Sequence, residues 1–303
     1  MSTQTDPPLP PAKPPRDLVT IARQTARYGL LKFNGAIASA RILPSFLIVG
    51  APRCGTTSMF TALSRHPAIA SPPPPWSCEV HYFDINYHRG LAWYRGHFPL
   101  TVRARRAAHA AGVEPMAFES TPYYMFHPLA AERIHRDLPD VKLIVQLRDP
   151  VERAFSHHAF AVSAGWETET FERGLELEDS RLAGEVERIL ADPTYPSPAH
   201  GHYSYRIRGH YADQIERLEK VFARDRIHVI DSGDFFTDPE PVYDRLLEFL
   251  GLPKVGYPDF KHLNARSRPA PMPDSVRAQL VEHYRPHNER LIKRLGREPS
   301  WCR

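Results

Sequence analysis

The sequence predicts an α/β fold with a central parallel sheet flanked by helices, and three observations carry the prediction. Four short apolar runs, 45–49, 116–119, 141–147 and 227–230, have strand length and are rich in β-branched or aromatic residues. Segments with helical spacing separate them, and strands that alternate with helices assemble as a parallel sheet covered on its faces. The first run stops at Gly50 and passes through a short loop straight into a helix-like pattern at Met59–Leu63.

Along the chain, residues 1–16 are Pro-rich and polar and read as disordered. Residues 17–43 read as an amphipathic helix with a basic face, which packs on the domain or touches a membrane surface. A single domain then spans 44–303. Strand 45–49 feeds a helix over about 56–65, and the Pro-rich stretch 71–78 is a loop ending in Cys78-Glu79-Val80-His81-Tyr82-Phe83-Asp84. Helical patches at 88–97 and 102–111 precede strand 116–119, which runs into Glu119-Ser120-Thr121-Pro122-Tyr123-Tyr124. Helical spacing over 128–138 leads to the β-branched strand 141–147, and helix 151–163 follows Asp149-Pro150. Residues 165–206, acidic and then Pro- and Gly-rich, read as an excursion with the composition of a lid. An amphipathic helix over 208–223 leads to strand 227–230. Asp238-Pro239 starts a helix reaching 250, and the last helix covers 273–295.

Composition narrows the classes. With 303 residues, 42% hydrophobic and 24% charged, the chain is long enough to bury a substantial core. A formal net charge of +4 fits anionic small ligands and is too low for a dedicated nucleic-acid binder. The 31 prolines, about twice the usual frequency, imply rigid loops. Three cysteines (Cys54, Cys78, Cys302) have neither metal-ligand spacing nor an even count, which points to a reducing compartment. No apolar run approaches the roughly 18 residues of a membrane span, and the N-terminus is not a signal peptide, so the expectation is cytoplasmic.

The chemistry begins in the loop Gly50-Ala51-Pro52-Arg53-Cys54-Gly55-Thr56-Thr57-Ser58. A strand feeding a Gly-containing loop that opens a helix aims backbone N–H groups and a positive helix end at one point, which suits a phosphate. The nucleoside-triphosphate version, G-x-x-x-x-G-K-[ST], carries a lysine after the second glycine. Here Thr56 takes that place, and the loop's cation is Arg53. A second anion motif follows the third predicted strand: Arg148 stands at its carboxyl end, where ligands of open α/β sheets collect, and Ser156 lies two helical turns on.

With both motifs in order, the chain resembles the sulfotransferases that use 3′-phosphoadenosine 5′-phosphosulfate (PAPS), over roughly residues 45–300. It is most similar to the branch containing the heparan sulfate sulfotransferases and bacterial relatives, and the resemblance implies their P-loop-like fold. It implies that Arg53, Cys54, Gly55, Thr56, Thr57 and Ser58 form the 5′-phosphosulfate loop, and that Arg148 and Ser156 form the 3′-phosphate site. Glu79 falls on the family's general base, with His81 and Asp84 flanking it. Arg53 falls on the cation that stabilises charge developing as the S–O bond breaks. Arg266, Ser267 and Arg268 match loosely a loop that closes over the adenosine. Tyr123 and Tyr124 are candidates to line the acceptor pocket, with core packing as the alternative. Two departures stand out: Cys78 replaces the lysine usual before the base, and Cys302 lacks a nearby disulfide partner.

The expected reaction is direct in-line transfer of a sulfuryl group to a hydroxyl, less readily an amine, of a small-molecule, glycan or lipid acceptor. It uses PAPS as donor, no metal and no nucleic acid. Two other classes compete: a P-loop-like kinase or NTPase, with Asp231 as its nearest Mg-binding candidate, and a non-catalytic nucleotide-binding module. Neither the acceptor's identity nor the oligomeric state is legible in the sequence.

Overall fold

The computed structural model describes residues 36–70, 79–110, 112–261, 263 and 271–303. The four apolar runs become parallel strands β1 (Phe46–Gly50), β2 (Phe118–Ser120), β3 (Lys142–Leu147) and β4 (Ile227–Asp231). Their order in the sheet is β2-β1-β3-β4. Parallel neighbours cannot be joined by hairpins, so each crossover carries helices. These are α1 (Thr56–Leu63), α2 (Leu91–Arg95), α3 (Thr101–Ala110), α4 (Ala130–Asp137), α5 (Pro150–Ser163), α6 (Phe171–Leu182), α7 (Glu185–Ala191), α8 (Pro198–His202) and α9 (Tyr211–Glu219). After β4 come α10 (Ser232–Thr237), α11 (Pro239–Leu250) and α12 (Asp274–Leu295).

The two-residue period of β1 divides the core. Phe46 and Ile48 face α1 and α11, packing on Met59, Leu63, Leu246 and Leu247. Leu47 and Val49 face the opposite layer, where Ile134 of α4 and Ile215 of α9 cover them. A third cluster joins Val151 and Phe155 of α5 to Phe171 of α6 and Leu280 of α12. β1 and β2 are buried along their whole length and β3 beyond Lys142, while His228 and Val229 of the edge strand β4 are half-buried.

Several elements differ from the sequence reading. Of the helix expected over 17–43, residues 17–35 lie outside the described residues; Ala36 is helical, a 3-10 turn follows at Ala38–Ala40, and residues 41–43 are not helical. Arg41 pairs in an antiparallel bridge with Leu100 and donates to the Phe98 carbonyl at 2.5 Å, and Pro44 disfavours helix at the residue before it. The expected helix 208–223 breaks into a 3-10 turn, Ile207–Gly209, and α9. Buried Arg208 donates to the carbonyls of His200 and Gly201 there, and a Cβ on Gly209 would lie 2.5 Å from the Tyr284 ring. The excursion 165–206 is helical and folded in. Three of its acidic residues, Glu167, Glu178 and Glu185, are buried: Glu178 accepts from the backbone N–H groups of Arg206 and Ile207, and Glu167 pairs with Arg181 at 2.6 Å. Among the described residues no helix is long and apolar enough to cross a membrane.

Candidate active site

All four strands end at one edge of the sheet, and the chain leaving each of them lines one cavity of about 820 Å³. After β1 the backbone turns at Gly50, where a Cβ would sit 2.6 Å from Met125 Cβ, so the close approach requires glycine. Gly55 has φ +88° and faces the Phe236 ring, which a Cβ would meet at 2.6 Å. Gly55 is also the N-cap of α1, and no side chain caps that end. The positive end of α1 is thereby presented to the cavity, which Arg53, Gly55, Thr56 and Thr57 line.

Two loop residues contribute otherwise than expected. Cys54 is fully buried, its Sγ beside the Tyr211 hydroxyl at 3.8 Å, its carbonyl accepting from Ser232 Oγ and its N–H donating to the Ala51 carbonyl at 3.3 Å, so it shapes the loop from within. Ser58 is buried and turned away from the cavity, its Oγ accepting from the Leu263 N–H at 3.0 Å. The hydroxyl assigned to phosphate is spent on holding the returning chain.

From the other side, β3 delivers Arg148 to the rim. Asp149 caps α5 by accepting from the Val151 N–H at 2.9 Å, and Pro150 occupies the first turn. Arg148 lies 3.6 Å from Glu152, which is held more closely by Arg277 at 2.6 Å. Ser156, one turn beyond Glu152, accepts from Arg53 Nε at 3.2 Å, and the Arg53 guanidinium sits over the Phe160 ring at 5.1 Å. The two loops predicted to bind anions thus meet across α5.

Glu79 and His81 line the same cavity, Glu79 with an exposed side chain. Both occupy the left-handed region, φ +58° and +54°, which is rare for residues other than glycine. The His81 Nδ1 is 2.5 Å from the Asp84 carboxylate. Burial alone would lower the His81 pKa, but Asp84, with Glu79 and Glu119, outweighs it and raises the value. Asp84, a candidate for acceptor contact, is buried beneath His81 and also accepts from the Ile85 N–H at 2.6 Å, so it reaches an acceptor only through His81. Tyr124 is likewise corrected: it is a core residue whose hydroxyl accepts from the Tyr82 N–H at 2.9 Å, whereas its neighbour Tyr123 lines the cavity.

Beyond His81 the wall is aromatic. Trp166 and His202 stack at 3.9 Å between ring centroids, Tyr123 and Phe160 stand nearby, and Pro196 and Pro198 complete the side contributed by the 165–206 segment. His157, absent from the sequence candidates, also lines it. Burial, then Arg208, Arg153 and Arg53, holds it well below its ordinary pKa and therefore neutral. Arg208 was missed too: it lies fully buried over the Tyr123 and Phe126 rings at 4.9 Å. The run Ser156-His157-His158 offered a signal for His157, whereas nothing local singled out Arg208. Arg266, Ser267, Arg268 and Cys78 lie outside the described residues.

The triphosphate reading loses its metal candidate. Asp231 is buried as the N-cap of α10, accepting from the N–H groups of Gly233 and Ser300 and from Ser300 Oγ. Its lone pairs are directed into the fold.

Comparison with known proteins points one way. A family model described as a sulfotransferase domain matches residues 43–263. Heparan sulfate glucosamine 3-O-sulfotransferase 6 of Mus musculus is 28% identical over an alignment covering 97% of this chain and 82% of its own. Membrane-associated sulfotransferase kil1 of Dictyostelium discoideum is 25% identical, covering 86% of this chain, which spans 66% of that relative's length. Among solved structures, a sulfotransferase from Alicyclobacillus acidocaldarius superposes with a TM-score of 0.63 at 30% identity, covering 86% of this chain and all of the other.

Proposed function

The chain belongs to the sulfotransferase family, and from that premise we propose that its cavity transfers a sulfuryl group from PAPS to a hydroxyl of a small-molecule, glycan or lipid acceptor. One observation carries the reading. The positive end of α1 and the Arg148–Ser156 stretch, separate in sequence, line one cavity together with Glu79 and the aromatic wall. A donor with a phosphosulfate at one end of an adenosine and a phosphate at the other fits two anion sites so placed.

Bound there, PAPS supplies an activated sulfuryl group. The α1 N-terminus with Thr56 and Thr57 holds its 5′ end, and Arg148 and Ser156 hold its 3′-phosphate. Arg53, now turned toward Ser156 and Phe160, reaches the bridging oxygen and stabilises the charge that develops as the S–O bond breaks. Glu79 takes the proton of the attacking hydroxyl, and the transfer is a direct displacement without a metal. His81, held by Asp84 through Nδ1, presents its other nitrogen to the acceptor. Stacking on Tyr123, Phe160 and the Trp166–His202 pair orients a sugar or an apolar ring, and the segment 165–206 gates this side. A glycan acceptor has the added support of the 3-O-sulfotransferase relative.

Thermal denaturation with added nucleotides tests the donor. Adenosine 3′,5′-bisphosphate at 100 times its dissociation constant adds about 2.7 kcal/mol of stability, with no comparable gain from ATP·Mg. Stabilisation by ATP·Mg alone overturns the donor assignment.

A further inference from the structure

Glu119 lies at the middle of β2 and is 1% exposed. Among the described residues, the side chains that hydrogen-bond its carboxyl are hydroxyls: Tyr94 donates at 3.1 Å, Thr121 at 3.3 Å, and Tyr124 joins them. A carboxylate is an acceptor only, so the ionised form suits three donors. Two of these hydroxyls also face the other way. Thr121 Oγ1 accepts from the His81 N–H at 3.4 Å, and the Tyr124 hydroxyl accepts from the Tyr82 N–H at 2.9 Å. A third tie, from the Glu79 N–H to the Ser120 carbonyl at 2.8 Å, fastens the same segment to the end of β2.

The fastened segment holds its unusual backbone only if its surroundings fix it. Two left-handed residues two positions apart, Glu79 and His81, each cost of order 1 kcal/mol or more and persist where neighbouring structure over-determines them. A hydroxyl that donates to a carboxylate becomes a better acceptor, so Glu119 strengthens both N–H contacts at once. The hydroxyl of Tyr124 is thereby accounted for by this network rather than by an acceptor.

We propose that Glu119 is a positioning residue of the transfer site: through the hydroxyls of Thr121 and Tyr124 it fixes the turn that presents Glu79 and His81 to the cavity. The inference rests on the sulfotransferase reading of that cavity. Burial pushes Glu119 up to about 7, while the Tyr124 and Tyr94 hydroxyls pull it down and so favour the ionised carboxylate that accepts from them. Glu119→Gln is nearly isosteric but reverses the polarity of one arm. Its amide must donate, and a hydroxyl accepting from it cannot be oriented as before.

The test uses the full chain and two readouts. The first is release of adenosine 3′,5′-bisphosphate from PAPS, in water alone and with 4-nitrophenol or a heparosan oligosaccharide as acceptor probe. The second is amide hydrogen exchange over 79–85. In E119Q and in Thr121→Val, release falls at least tenfold and exchange over 79–85 speeds at least tenfold. Bisphosphate affinity and exchange over 51–58 change less than twofold, and Thr121→Ser restores release to within about threefold of the unaltered protein. E119Q that releases bisphosphate and exchanges like the unaltered protein overturns the inference alone. Bisphosphate binding and turnover lost in parallel, with exchange raised throughout the chain, overturns it in favour of a general structural role. An unaltered protein that neither binds the bisphosphate nor releases it from PAPS overturns the sulfotransferase reading as well.

Discussion

Two arginines approach α5 from different loops and carry different duties. Arg53 reaches Ser156 and Phe160 from the β1 loop, while the Arg148 guanidinium at the end of β3 lies 3.6 Å from Glu152, whose closer partner is Arg277. An arginine whose carboxylate partner is shared is available to a phosphate, to which it binds through two parallel donors. Arg148→Ala is therefore expected to weaken adenosine 3′,5′-bisphosphate by roughly tenfold to a hundredfold, the loss of one charge-assisted contact. Adenosine 5′-phosphosulfate, which lacks the 3′-phosphate, should lose little; equal losses in calorimetric titration would remove Arg148 from that site. At this scale the sequence marked chemistry better than direction. Ser58, Asp84 and Tyr124 are adjacent or near-adjacent to cavity residues, yet each turns inward, because one helical or turn step rotates a side chain away from its neighbour. Glu119 went unnoticed for the converse reason: a carboxylate in a strand declares its donors only when the tyrosines that supply them are brought in from 94 and 124.

Among the elements, β1 and β3 were the most legible strands, because both are buried almost throughout and read as apolar, β-branched runs, whereas β2 and β4 carry Glu119, His228 and Asp231 within short apolar runs. The loop after β1 was legible for a stricter reason: its two glycines are fixed by geometry, Gly50 by Met125 and Gly55 by a positive φ against Phe236. Gly55→Ala combines left-handed strain of about 1 kcal/mol with a clash against an aromatic ring. Bisphosphate binding should fall more than tenfold in this variant, measured by titration, while circular dichroism still reports a folded chain. Retained affinity would mean that the loop does not cradle the ligand. The helices α6 to α8 were not legible as such. The 165–206 segment read as an excursion with the composition of a lid, whereas its Glu167, Glu178 and Glu185 are buried and bonded to partners that only the fold supplies.

Across the whole molecule, the strand order β2-β1-β3-β4 places β1 between the strand carrying Glu119 and the strand leading to Arg148. Sequence order cannot say on which side of β1 each later strand adds, so the convergence of residues 53–57, 79–81, 148–160, 196–202 and 232–236 on one cavity is a property of the topology. The alternation of strands and helices nevertheless predicted that such an edge would exist, and ligand sites of open parallel sheets lie there. The acceptor side is the least legible part, since its wall comes from the excursion and from a buried arginine over two rings. The measurement that tests the account most directly is transfer from ³⁵S-labelled PAPS to material in a cell extract, run with the unaltered chain and with Glu79→Gln. The unaltered chain should label a product, while the variant should keep its bisphosphate affinity and transfer about a hundredfold to ten-thousandfold more slowly. Equal labelling by both proteins, or no labelled product despite tight bisphosphate binding, would contradict it.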